Sequence, residues 1–552
     1  MQRMTTLRRS AWDWLKHNER GEKILAFVVL AFAAVLMFYN LDLNPRPWQD
    51  EGSAAGIAKT LVQDGVYAIK SSDGYQTFGG VQSVGPTVIL PIALAYRLWG
   101  IGLVQGRSVM AFFAVITLVL LYLCAKTLFN RRVAIIAVIL AIGSQSLGYF
   151  IFGRPVLGEV PALGFFLAGW LVWNQATQRG RIWLVPVAGL LFGLAMVTKS
   201  YYVIMIAGTI GLLMILDRFL FRQRRFTYLL ILGATAAACY GLWLAWQRFY
   251  FGPELFAENL EKLRQMAAAS SGFNRKWVGD AIKLLIGPGA SYFYFFWGFL
   301  SLLYVIPLGL RRTREAFLLA FIWLFTVLWL AYFVFWILPI PRYLLPAAAL
   351  TTMFVAKLAY DLARGVVAAG RGLWSALRQY ASGQADLSPT ALVSLGAVIG
   401  LISFALLVGY EFQRTIRLDV LDKQGSQSEV VLTPPQLEAP EQVADFLRQN
   451  VGPDKIIETW ERELGILTDH NYHYPDQLML AKIDNALHRG GDQSYSLGAE
   501  YFKSVRPDYV VAGWFGRLYK VYDVEYLNQN AKVIASFGDG DWRYDIYQMN
   551  PP

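Results

Sequence analysis

The sequence predicts a polytopic α-helical membrane protein that ends in a smaller α/β domain. Three observations carry this reading. Charged residues make up only 16% of the 552 residues while hydrophobic ones make up 56%, against the roughly 25% charged expected of a soluble domain. Apolar runs of about 17 to 23 residues recur along the chain, each long enough to cross a bilayer. The charge is also divided. Residues 411–552 hold 14 Lys and Arg against 22 Asp and Glu, a net of −8, whereas the rest holds 36 against 17, a net of +19. A closed β-barrel is excluded, because its strands alternate apolar and polar residues instead of running apolar throughout.

The first apolar run spans about 24–39. Basic residues precede it, which places the N-terminus in the cytoplasm, and it reads as a retained span, not a cleaved signal. Residues 40–102 follow as a long outer loop. It carries an amphipathic stretch, GSAAGIAKTLVQDG, and a short apolar one, PTVILPIALAYRLWG, both read as interfacial helices. Further spans begin near Val104, Val133, Val156, Ile182, Tyr202, Tyr228, Tyr292, Ala316, Tyr343 and Ala391, which makes about eleven in all. Alternation puts the arginine-rich loops KTLFNRR, QATQRGR, DRFLFRQRR, RRTR and RGVVAAGRGLWSALR on one side, as the positive-inside tendency requires. The basic membrane part therefore speaks for cytoplasmic loops, not for nucleic acid.

The same alternation gathers other segments on the outer side: the QDE loop, the FGRPVLGE, TKSYY and PIPRY turns, the 249–289 loop and everything after Tyr410. Within the last part the pattern predicts a helix at PEQVADFLRQN, strands at KIIETW and DYVVAGW, and a hairpin around GDGDW. The polar, proline-bearing stretch LDKQGSQSEVVLTPPQLEAP reads as a boundary. The expected division is 1–412 for the transmembrane part, 413–438 for the linker and 439–552 for an extracytoplasmic α/β domain. The whole is expected in the plasma (inner) membrane.

Candidate functional residues sit where charge is costly. Asp50 and Glu51 form an acidic pair soon after the first span. Glu159 stands in an apolar segment near its outer end, where an unpaired carboxylate would cost at least about a few kcal/mol. Either a structural pair with Arg154 or a catalytic role accounts for it. Lys199 occupies a tight outer turn, by snorkelling or to hold a phosphate. Arg342 lies between prolines at the start of a span, as an interfacial anchor or a two-pronged phosphate ligand. Tyr201, Tyr202 and Tyr343 adjoin these cations as candidate substrate-binding residues. Taken together, acids and cations from distant parts of the chain reach one depth on one side. That suits a substrate with a lipid tail and an anionic head.

The acidic pair after the first span, the arginine-then-glutamate turn, the GLAMVTKSYY stretch and PRYLLP resemble the GT-C glycosyltransferases. The nearest subgroup holds the protein O-mannosyltransferases and the bacterial aminoarabinose transferases, and the similarity covers about 24–360. The resemblance implies a helical bundle with two interfacial helices, a polyprenyl-phosphate monosaccharide donor and inversion at the anomeric carbon. It implies Asp50 as general base, Glu51 as the second acid that orients the acceptor or the interfacial helix, and Glu159 as the second acidic motif. Lys199 and Arg342 then stand near the donor phosphate, joined by Arg154. The implied acceptor is a protein, lipid or glycan hydroxyl, and hexosyl and pentosyl transfer are both compatible.

No cofactor is called for, although a carboxylate pair can hold a divalent cation. His470 and His473 have a loose zinc-like spacing, but a satisfied loop is the better reading. Cys124 and Cys239 lie in apolar segments and imply no disulfide. Residues 254–266 form an amphipathic stretch, either a lid or a surface helix. The aromatic run at 292–300 suits either sugar stacking or an interfacial belt. A polyisoprenoid-lipid transporter or flippase is the alternative. It predicts charges deep in several spans and internal repeats, whereas here the charges gather at one face.

Overall fold

The computed structural model describes residues 19–79, 83–222, 225–286, 297–382, 388–421, 433–479, 482–483 and 496–550. Helix α1 (Glu19–Phe38) is followed by α2 (Gln49–Asp64), a short hairpin of β1 (Ile69–Ser71) and β2 (Gly74–Gln76), and α3 (Pro86–Trp99). The bundle continues with α4 (Leu103–Leu128), α5 (Arg131–Gly143), α6 (Glu159–Arg179), α7 (Leu184–Thr198), α8 (Tyr201–Leu216) and α9 (Phe226–Phe251). Then come α10 (Pro253–Ser270), α11 (Arg275–Ile286), α12 (Arg314–Phe335), α13 (Pro341–Ala381) and α14 (Pro389–Thr415).

Among the described residues, seven helices are long and apolar enough to cross a membrane: α1, α4, α8, α9, α12, α13 and α14. Three apolar helices are shorter: α3, α7 and Phe299–Gly309. Most expected span starts coincide with helix starts to within about three residues. The one near Tyr292, and most of the aromatic run with it, lies outside the described residues. Large apolar side chains such as Phe27, Leu242, Val393 and Leu406 cover the bundle's outside, as a surface solvated by lipid tails allows. Inside, small residues let helices approach. A Cβ built on Gly193 would stand 2.4 Å from Cys239 Cβ on α9, the close packing typical of membrane helices.

The outer segments do meet at one end. Gly85 N–H donates to the Thr198 carbonyl at 3.2 Å, Asn44 Nδ2 to the Asp419 carbonyl at 2.6 Å, and Lys262 pairs with Asp476 at 3.2 Å. The arginine-rich loops meet at the other end, where Arg131 and Arg132 pair with Glu22 and Arg314 donates to Asn174 at 2.6 Å.

The C-terminal unit begins with α15 (Pro434–Asn450) and builds a five-stranded mixed sheet. Its strands are β3 (Ile456–Thr459), β4 (Asn471–His473), β5 (Tyr509–Ala512), β6 (Ala531–Phe537) and β7 (Tyr544–Met549), in the order β4-β3-β5-β7-β6. Strands β4, β3 and β5 run parallel, while β7 and β6 form the antiparallel hairpin around the GDGDW turn. Two boundaries differ from those expected. The helix of α14 runs on as a π turn to Leu421, and α15 starts at Pro434, inside the expected linker. Proline is tolerated in a helix's first turn because its missing N–H has no partner there. Gln436 Oε1 closes that start by accepting from the Thr433 N–H at 2.9 Å. Residues 422–432 of the expected linker lie outside the described residues.

The amphipathic stretch forms α2, most of whose residues are buried. It packs on α3 on one side and on the C-terminal unit on the other. Gly52 permits this, since a Cβ there would fall 2.3 Å from the Glu463 backbone nitrogen.

Candidate active site

Asp50 opens the first turn of α2, where a carboxylate complements the positive end of the helix dipole. Glu159 opens α6 in the same way. Lys199 follows the last residue of α7 in an extended conformation. Arg342 lies in the first turn of α13, behind Pro341. These four helix ends converge. The Arg342 guanidinium is ion-paired with Asp50 and stands 3.8 Å from Glu159 Oε1. Lys199 Nζ lies 3.0 Å from the same oxygen. Neither Glu159 oxygen has an aligned hydrogen bond among the described residues, so proximity of charge holds this pair.

The cluster is two acids and two cations, and it is graded in depth. The side chains of Glu159, Lys199 and Arg342 are 2%, 6% and 10% exposed, while Asp50 is 30% exposed. Asp50 is therefore the most accessible of the four side chains.

Aromatic residues wall the cluster. The Arg342 guanidinium lies 5.0 Å from the ring centres of both Trp48 and Tyr343, and its Nη2 donates to the Tyr343 hydroxyl at 3.2 Å. Tyr201 meets Tyr343 edge-on at 5.1 Å and lies under Lys199 at 5.9 Å. Tyr202 differs. It is fully buried, and its hydroxyl donates to the Glu159 carbonyl at 3.4 Å, so it props the backbone of α6 and lines no open site.

Two expected site residues stand elsewhere. Glu51, expected as a catalytic acid, is fully buried and held by Arg107 of α4 in a two-pronged pair, Nε to Oε1 at 2.8 Å and Nη2 to Oε2 at 2.6 Å. Successive helical residues point about 100° apart, so the neighbour of Asp50 faces the bundle and fastens α2 to α4. Arg154, expected on the donor phosphate, is also fully buried. It donates to the carbonyls of Asn44, Asp419 and Leu36 at 3.2, 3.1 and 2.6 Å. It ties the chain before α2 to the ends of α1 and α14, and it does not pair with Glu159.

Sequence reasoning missed Arg107, Trp48 and Arg46. Arg107 carried a signal, a cation at the start of an otherwise apolar span. Trp48 and Arg46 carried none beyond their closeness to Asp50. Arg46 is buried over the rings of Trp542 and Tyr544 at 5.0 and 5.1 Å. The loop that delivers Asp50 is thereby pinned to the C-terminal unit. Glu461 and Glu463 lie nearby, and burial raises both carboxyls above their ordinary range.

The adjacent acids do not share a cation site, because Asp50 and Glu51 diverge to Arg342 and Arg107. The two histidines diverge as well. His470 meets the Val451 carbonyl and Thr468 Oγ1, both at 3.1 Å, while His473 Nδ1 lies 2.5 Å from Glu458. Among the described residues no group of three His, Cys, Asp or Glu side chains is placed to hold a metal ion. The amphipathic stretch forms part of α10, which reaches the C-terminal unit through the Lys262–Asp476 pair.

The family described as dolichyl-phosphate-mannose-protein mannosyltransferase matches residues 83–246. No curated protein sequence matches the chain. The chain is similar to the crystal structure of ArnT from Cupriavidus metallidurans bound to undecaprenyl phosphate, at 15% identity and a TM-score of 0.56, over 95% of this chain and 99% of that one. The apo form of that ArnT gives 0.57 at the same identity and coverage. The archaeal oligosaccharyltransferase AglB from Archaeoglobus fulgidus, solved with an inhibitory peptide and a dolichol-phosphate, gives 0.54 at 14% identity, over 96% of this chain and 74% of that one. The chain thus shares the fold of these solved structures, ArnT and AglB among them.

Proposed function

We propose that the chain transfers one monosaccharide, with inversion, from a polyprenyl-phosphate donor to an acceptor hydroxyl at the membrane face that carries the C-terminal unit. The observation that carries this reading is the meeting of Asp50, Glu159, Lys199 and Arg342 at one end of the bundle. The lipid phosphates bound by ArnT and AglB support the donor class, and the clustering of arginine-rich loops at the opposite end supports the orientation.

The chemistry follows from the charges. In an inverting transfer the acceptor oxygen bonds to the anomeric carbon as the bond from that carbon to the phosphate oxygen breaks. Asp50 takes the acceptor's proton, and polyprenyl phosphate leaves with the electron pair. The leaving group gains negative charge, which Lys199 and Arg342 are placed to offset. In the structure described, Arg342 is ion-paired with Asp50. A donor phosphate competing for Arg342 would free the Asp50 carboxylate to meet the acceptor hydroxyl. Glu159 would then hold Lys199 and Arg342 in place from behind.

The test is direct. Purified protein in lipid nanodiscs, given a polyprenyl-phosphate sugar and an acceptor-containing lipid extract, should release polyprenyl phosphate and form a glycosylated product. The Asp50→Asn variant, shown to be folded, should do neither. Wild-type turnover by that variant would defeat the assignment, and movement of intact donor between leaflets without cleavage would favour a flippase.

A further inference from the structure

A cluster of charge is sealed between the loop before α2 and the C-terminal unit. Arg46 comes from that loop, shortly before Asp50, and Glu461 and Glu463 come from the turn after β3. All three are buried, at 2%, 1% and 2% exposure. Glu461 Oε1 accepts from the Gly516 N–H at 2.8 Å, and Glu463 Oε1 accepts from the Tyr544 hydroxyl at 2.7 Å. The second oxygen of each carboxyl group meets no donor among the described residues, and the three guanidinium nitrogens of Arg46 meet no acceptor at hydrogen-bond distance. The two carboxyl groups lie within hydrogen-bond reach of each other. Helix α2 rests on the same turn, since a Cβ on Gly52 would fall 2.4 Å from the Arg462 carbonyl carbon.

The charge does not balance if every group is ionised. Two carboxylates against one guanidinium leave a net negative charge sealed away from water, which is strongly unfavourable. Two carboxylates in contact also repel, so one of them keeps its proton past the usual range. A single proton resolves both problems. It cancels the surplus charge, and it turns two facing acceptors into a donor and an acceptor. Burial first, then the Glu463 charge, holds Glu461 well above the ordinary carboxyl range. At Glu463 the Tyr544 hydroxyl and Arg46 work against burial. The proton therefore belongs on Glu461. The other titratable groups that act on the pair are Tyr544 of β7, Tyr522, and Tyr472 and Tyr474 at β4. These phenols stay neutral at the pH values of interest. Arg462, between the two acids, turns away to Gln76.

Building on the reading of Asp50 as the base, we propose that Glu461 and Glu463 share one proton against Arg46, and that this proton locks the loop that positions Asp50. Arg46 is then a positioning residue. It touches no reacting atom, and it holds the loop by its charge and by its seat over Trp542 and Tyr544. Loss of the proton leaves an uncompensated carboxylate beneath the loop and loosens it. The sign follows from linkage. The closed pair keeps a proton that a solvated carboxyl releases above about 4.3. The lock is therefore fullest at low pH and weakens as pH rises towards the closed pair's own value.

The experiment is hydrogen exchange of the full chain in nanodiscs between about pH 5 and 9, with no donor or acceptor present. Residues 46–52 are followed and corrected for the intrinsic rate. In the wild type, their opening should rise with pH by a factor approaching about tenfold per unit, the limit for one proton. Glu461→Gln keeps a donor towards Glu463 without needing a proton, so its profile should be flat at the protected level. Arg46→Gln removes the counter-charge and should raise opening at every pH. Infrared spectra of the wild type supply a measure that needs no variant. The carbonyl stretch of a buried protonated carboxyl should be present at neutral pH and fade over the range in which protection is lost. A rise under about twofold per pH unit, a Glu461→Gln profile as steep as the wild type's, or lost protection with a constant infrared band would overturn the proposal. No substrate is used, so the result is independent of the Asp50→Asn test. A flat wild-type profile leaves the transferase reading standing, and an active Asp50→Asn variant leaves the shared proton standing.

Discussion

Asp50 and Glu51 are adjacent and chemically alike, yet they belong to two different regions. Asp50 joins the cluster of Glu159, Lys199 and Arg342, ion-paired with Arg342 and 30% exposed. Glu51 joins a sealed pair with Arg107, saturated by two aligned hydrogen bonds. The comparison teaches that an acidic pair in sequence is not a pair in space. One carboxylate is left partly exposed beside its arginine. The other is consumed in holding the helix that presents the first.

Exchanging the charge at each position tests that contrast. The largest expected effect is on turnover: Asp50→Asn should lower the transfer rate by about 100- to 10,000-fold, the usual range for a lost general base, with the melting temperature near that of the wild type. Glu51→Gln should do the reverse. It leaves Arg107 buried without its counter-charge, which typically costs about 3–5 kcal/mol, read as a lower melting temperature in detergent, while the turnover of molecules that remain folded stays measurable. A Glu51→Gln protein of normal stability with no activity would erase the distinction. Lys199→Ala comes next. Removing one charge-assisted contact to the donor phosphate, worth about 1.5–3 kcal/mol, should raise the KM for donor by roughly 10- to 100-fold and affect acceptor KM little.

The smallest effect concerns the clasp between the hairpin and the C-terminal unit. Burial lowers the tendency of His473 to hold its proton, but the hydrogen bond and charge of Glu458, with Asp73 beyond, raise its pKa above the ordinary value. Burial raises Glu458 itself, against the hydrogen bonds from His473, Tyr501 and Tyr522. A histidine whose folded pKa is raised contributes stability that is fully present below about 6.5, the unfolded value, and is lost as pH climbs through the folded one. Hydrogen exchange of residues 69–76 should therefore quicken as pH rises above about 7, after correction for the intrinsic rate. The change should be under about 1 kcal/mol, because Asp73 is 61% exposed. His473→Gln should remove the pH dependence.

Much of the bundle was legible because lipid imposes a simple rule. A span must be long, apolar and helical, so hydropathy and the arginine-rich loops place helix starts and sort the connecting segments into two ends. The C-terminal strands were legible from short apolar runs bounded by turns, and the hairpin from GDGDW. Strand β4 and the β1–β2 hairpin were not, since three-residue strands carry no periodicity. They exist because neighbours supply their hydrogen bonds, as when Ser72 N–H donates to the Tyr472 carbonyl at 2.7 Å.

For the site, the sequence by itself determined which residue types were scarce and how deep each would lie. That is why Asp50, Glu159, Lys199 and Arg342 stood out before any coordinate was known. Only the tertiary structure decided their partners. A helix turns about 100° per residue, and an arginine reaches several groups from one Cα. Whether a charge meets a substrate, a carbonyl or an opposite charge therefore depends on which helix end lies across from it, and local sequence holds no record of that. The same physics sent Arg154 to backbone carbonyls, Glu51 to Arg107, and Arg462, from far along the chain, to Gln76 of the hairpin.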